Sequence, residues 1–221
     1  MISKKGTDIN DEYFHIRFVI CNGVVMLFAL PFFRMFSESG QSIRSLLLEY
    51  PAFFCVTLAY LVSLLFSFFS FRNMEASVSS PLCNTSTAMV FFMLLFFYIF
   101  TGHLNDVYDL LIPINVFASI LICVGVIAIG IVRSDEEKGI NKRDRILNKS
   151  IKYGAAAILF PLLSAFFDAL ESVGDSLMVD ENAGVGIGSI DYMRLWVLTY
   201  LLLCIPLWIY LLIKEKRYIN H

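Results

Sequence analysis

Three carboxylates, Asp168, Glu171 and Asp175, recur at steps of three and four residues, a spacing that puts all of them on one face of a helix. They close an apolar run, and Asp168 lies deepest in it. An ionised side chain costs roughly 2.5 to 3.5 kcal/mol at the centre of a membrane helix and less toward the interface, so such a residue faces protein or a water-filled cavity. Acids so placed exchange a proton with a cationic substrate or coupling ion, or else sit solvated and passive at a helix mouth. A second stripe, Ser77, Ser80, Asn84 and Thr87, follows steps of three, four and three. Its hydroxyls and amide either line a substrate path or bond to neighbouring helices, worth about 0.6 kcal/mol per contact. Pro81 suits a first helical turn, which predicts a helix starting there with Ser79 or Ser80 as its cap. Pro161 and Pro206 fall midway along later apolar runs, where each removes a backbone hydrogen bond and permits a kink.

The elements that must carry these residues are membrane helices. Of the 221 residues, 58% are hydrophobic and only 16% charged, and the mean hydropathy is +0.72, which excludes an ordinary soluble domain. Six uncharged runs, each extended by snorkelling flanks, predict an all-α integral membrane protein with about six transmembrane helices. The predicted organisation is a cytoplasmic segment 1–13; a four-helix part 14–132, with helices near 14–36, 51–71, 82–100 and 110–132; a cytoplasmic linker 133–152; a two-helix part 153–213, with helices near 153–174 and 192–213; and a tail 214–221. The polar, acidic stretch from Lys4 to Glu12 argues against a removable signal peptide.

Charge sets the expected orientation. With the amino end inside, 14 of the 17 Lys and Arg residues fall on the inner side, leaving a formal charge of +5 inside against −7 outside. Both termini of this multi-pass protein are then cytoplasmic. The linker Arg133 to Lys152 mixes seven basic with four acidic residues, which suits anionic headgroups and not nucleic acid.

Most other chemistry lacks its residues. The five cysteines form no metal-ligand spacing, and His15, His103 and His221 lie near helix ends or the carboxyl terminus, so neither metal nor cofactor is expected. Gly184, Gly186 and Gly188 depart from a dinucleotide fingerprint and read as a flexible outer loop. Asn84-Thr85-Ser86 and Asn148-Lys149-Ser150 match the glycosylation acceptor in positions unsuited to it. Without a nucleophile elbow or phosphate loop, an enzyme is not expected.

The stretch Arg72 to Ser86, RNMEASVSSPLCNTS, followed by an aromatic-rich helix and then Gly125 to Val132, GVIAIGIV, resembles the drug/metabolite transporter superfamily, EamA-like branch. Phe160-Pro161-Leu162-Leu163 through Asp168, Asp175 and Asp180 resembles the opening of that family's second half. The resemblance spans Phe14 to Lys214 and implies part of a ten-helix inverted-repeat transporter, a secondary carrier of small metabolites or drugs that works by alternating access. Six helices would match the second through seventh of ten, which implies a partial or truncated member completed by a homodimer or a complementary half. In the usual arrangement the segment from Arg72 to Ser80 faces outward, whereas the charge distribution puts it inside; the chain is either inverted relative to the family or matched one helix out of register. The expected partners are the lipid bilayer and a small-molecule substrate, with no nucleic acid. The alternative is a noncatalytic membrane scaffold or accessory subunit.

Overall fold

A computed structural model describes residues 14–36, 42–73, 76–139 and 155–219. The protein is all-helical, with no strand among the described residues. Four helical stretches are long and apolar enough to cross a bilayer: Ile16–Met35, Phe53–Arg72, Val78–Thr101 and Ser189–Ile213. A further apolar helical stretch covers Pro113–Ala128. The first thirteen residues and most of the linker, including Asn148, lie outside the described residues.

The ends and breaks of the helices follow local chemistry. The first span is two helices, α1 (Phe14–Leu27) and α2 (Leu30–Met35), instead of the single helix expected over 14–36. Pro31 has no N–H to offer the Leu27 carbonyl, so the chain turns at Phe28 and Ala29 and resumes with the Phe33 N–H on the Ala29 carbonyl. Helix α3 (Ile43–Glu49) starts where the Ser42 hydroxyl accepts the Ser45 N–H at 3.2 Å, and ends at Tyr50 before Pro51. The sequence reading had no helix there. Helix α4 (Phe53–Asn73) has 21 residues, about 31 Å of rise.

The third span is also divided. Helix α5 (Ala76–Cys83) contains Pro81 near its end and not in its first turn, and a turn at Asn84 and Thr85 leads into α6 (Ser86–Thr101). Gly102, at φ 81°, closes α6 in the left-handed conformation, and the His103 N–H reaches the Tyr98 carbonyl. Helix α7 (Leu104–Leu110), also unforeseen, leads to α8 (Pro113–Gly139), which opens on the proline that favours a first turn. Helices α9 (Ala155–Val179) and α10 (Ser189–Ile219) carry Pro161 and Pro206 in their interiors, as expected.

The glycine-rich segment between α9 and α10 is a built turn. Asp180 Oδ1 accepts the N–H groups of Asn182 and Ala183 at 2.8 and 3.1 Å, and the N–H groups of Val185 and Ile187 return to the carbonyls of Leu177 and Met178. A side chain at Gly184 would run into the Leu177 carbonyl, and Gly186 has φ 71°.

The chain forms two compact units. One comprises Tyr60–Val173; the other combines the described residues up to Ala59 with those from Gly174 onward. In the second, α10 packs along α1: Tyr200 donates to the Val19 carbonyl at 3.1 Å, and Gly23 admits the Tyr200 ring, which a Cβ would meet at 3.2 Å. Leu46, Phe53, Ile187, Tyr192 and Leu195 form its core, with Phe53 edge-on to Tyr192 at 5.3 Å. In the first unit, Phe66 stacks on Phe167 at 5.8 Å, and Leu82 packs against Val78, Val126 and Ile158.

Candidate functional site

Helix α9 places Asp168 and Glu171 in the unit Tyr60–Val173 and Asp175 just beyond it. Glu171 is buried and Asp168 half-buried, and both carboxylates lie within electrostatic reach of the Tyr60 phenol on α4. Ser172 donates to Glu171 Oε2 at 3.4 Å. Two acids of α9 thus act electrostatically on one phenol of α4. On the same helices, Phe66 stacks on Phe167.

The serine stripe falls differently. Ser80, Asn84 and Thr87 are exposed, and Ser77 lies where side chains are outside the described residues. Asn84 sits in the turn between α5 and α6, so the helical phase that would align the stripe is interrupted. Ser79, expected only as a cap, is fully buried and meets Ser70 Oγ at 2.6 Å.

Sequence reasoning missed a set of buried hydroxyl contacts made by α4. Thr57 meets Thr199 at 2.7 Å in one unit. In the other, the Ser63 and Ser164 hydroxyls each donate to the other's backbone carbonyl at 3.0 Å, and Ser70 meets Ser79. Ser63 and Ser70 lie seven residues, about two turns, apart on one face of α4, whereas Thr57, six residues before Ser63, falls on a different face, so no common spacing marks the three. A further contact is the buried pair at the start of α10, where Arg194 Nη1 donates to Asp191 Oδ1 at 2.6 Å. Asp191 also lies in the first turn, where a negative charge complements the helix dipole. Outside the spans, the Tyr50 phenol donates to Glu49 Oε1 at 3.1 Å, and its pKa is raised by burial and then by Glu49.

Among the described residues no three His, Cys, Asp or Glu side chains gather as a metal site. One groove of about 450 Å³ runs between α1 and α10 and is lined almost wholly by apolar side chains. Comparisons with family models, curated proteins and solved structures find no match to this chain.

Proposed function

We propose that the protein is a secondary transporter, or part of one, that moves small metabolites or drugs across the bacterial inner membrane by alternating access. In this reading α8 and α9 join the four long apolar stretches as fifth and sixth spans, both termini are cytoplasmic, and a homodimer or complementary half completes the path. One observation carries the reading: Asp168 and Glu171 share a helix with a long apolar run and lie within electrostatic reach of Tyr60 on another helix. Acids at such a position are costly unless water, a proton or a cationic group reaches them, and membrane helices keep them where a substrate or ion passes. Pro161, two turns before Asp168, removes a backbone hydrogen bond in the same helix, a break of the kind transporters place near binding sites.

The test is solute uptake into proteoliposomes under an imposed proton gradient, with cationic amines, amino acids and nucleosides offered in turn. The reading expects uptake of at least one class, lost in Glu171→Gln and in Asp168→Asn. Uptake indifferent to both substitutions would remove the carboxylates from the mechanism. A second reading, a noncatalytic scaffold or accessory subunit, is favoured by the buried hydroxyl contacts, which tie helices together without lining a path. It expects no uptake of any class and co-purification with a stable membrane partner.

A further inference from the structure

Helix α1 divides its faces between two surroundings. Val19 and Gly23 meet Tyr200 and Cys204 of α10, while Ile20, Val24 and Leu27, at steps of four and three, line a groove with Leu201, Ile205 and Trp208 of α10. The groove is about 450 Å³, within the range of small-ligand sites. Val24, Leu27, Ile205 and Trp208 are each about half exposed, so it is open along its outer side. Both walls belong to stretches long and apolar enough to span a bilayer, which puts the opening among lipid chains and not in water.

The same face of α1 ends on a charge. Arg17, an exposed residue, lies three residues before Ile20, so the stripe Arg17, Ile20, Val24, Leu27 runs from a cationic residue into the apolar groove. An aliphatic slot with a cation at its end matches the two halves of an anionic phospholipid, and the guanidinium can hold a phosphate through two parallel hydrogen bonds. We propose that the groove between α1 and α10 binds one acyl chain of an anionic membrane phospholipid, with Arg17 against its phosphate. The proposal rests on the membrane placement of these helices and not on transport, so a failure to find any transported solute leaves it standing.

The chain's own tryptophans report on it. Trp208 lines the groove and Trp196 packs in the Tyr192 cluster, so Trp196→Phe leaves a single emitter at the site. In phosphatidylcholine bilayers doped with chain-brominated phosphatidylglycerol or chain-brominated phosphatidylcholine, bromine entering the groove quenches Trp208. One arginine near an anionic headgroup supplies about a fivefold preference. The expected result is therefore that phosphatidylglycerol associates about fivefold more strongly than phosphatidylcholine. Arg17→Gln brings the two lipids to parity, and Val24→Phe, which fills the groove, weakens quenching by both. Native mass spectrometry of the unsubstituted protein, exposed to the same two lipids, reads the same preference without the tryptophan change. Equal association of both lipids with Arg17 intact would overturn the proposal. So would a Trp208 shielded from both, which would mean that a second copy of the chain or another helix covers the groove.

Discussion

The acidic groups described in the two compact units are placed differently. In the unit containing α1 and α10, Asp191 is met by Arg194 one turn along its own helix, with both side chains at least nine-tenths buried. In the unit Tyr60–Val173, Asp168 and Glu171 share a helix face with each other and lie within electrostatic reach of a phenol. A carboxylate closed on its own arginine is fixed: its charge is neutralised locally and its oxygens serve the start of α10. Two carboxylates three residues apart on one helix face instead oppose each other when both are ionised. The first arrangement serves the start of a helix, and the second is where the proposed transport site is placed.

Breaking the closed pair gives the largest expected effect. Asp191→Asn or Arg194→Met leaves a buried charge without its counterion and should cost about 3 to 5 kcal/mol, measured by reversible unfolding in mixed micelles. Asp191→Leu combined with Arg194→Met should recover much of that loss. A next, smaller effect tests close packing in the same unit. A Cβ at Gly174 would lie 2.7 Å from Val56 Cγ2, so Gly174→Leu should destabilise by about 1 to 3 kcal/mol in the same assay. In the other unit, a double-mutant cycle on Ser63→Ala and Ser164→Ala should give a coupling near 0.6 kcal/mol. A coupling of zero would mean that these hydroxyls serve only their own helices. Asn84→Ala, at an exposed turn, should change stability by less than about 0.5 kcal/mol.

Much of the fold was legible because hydrocarbon imposes simple length and polarity rules. The apolar runs found α4 and α10 to within a few residues at their starts, and Pro161 and Pro206 sit inside helices as read. The splitting of the first and third spans was not foreseen. Pro31 acts against a carbonyl four residues earlier, and a run of apolar letters does not show where that carbonyl has no donor. Pro81 looked like a first-turn residue, yet the helix already begins at Ala76. Helices α3 and α7, seven residues each, are too short to produce a periodic signal.

The candidate site was half legible. The helical spacing of Asp168 and Glu171 was plain in the sequence, but Tyr60, more than 100 residues away, is brought to them only by the pairing of α4 with α9. The serines illustrate the same limit. Spacing along one helix marks a common face without saying what that face meets, and a one-residue difference separates buried Ser79 from exposed Ser80.

The central claim is that water and solutes reach the acids of α9 in turn from each side of the membrane. The five native cysteines would be replaced, and single cysteines introduced by Asp168→Cys and, for comparison, Asn84→Cys. A membrane-impermeant thiol reagent would then be applied to right-side-out and inside-out vesicles. Alternating access expects the position-168 thiol to react from both faces, while the position-84 thiol reacts from one face at most. Complete protection of position 168 from both faces under every condition would contradict the account.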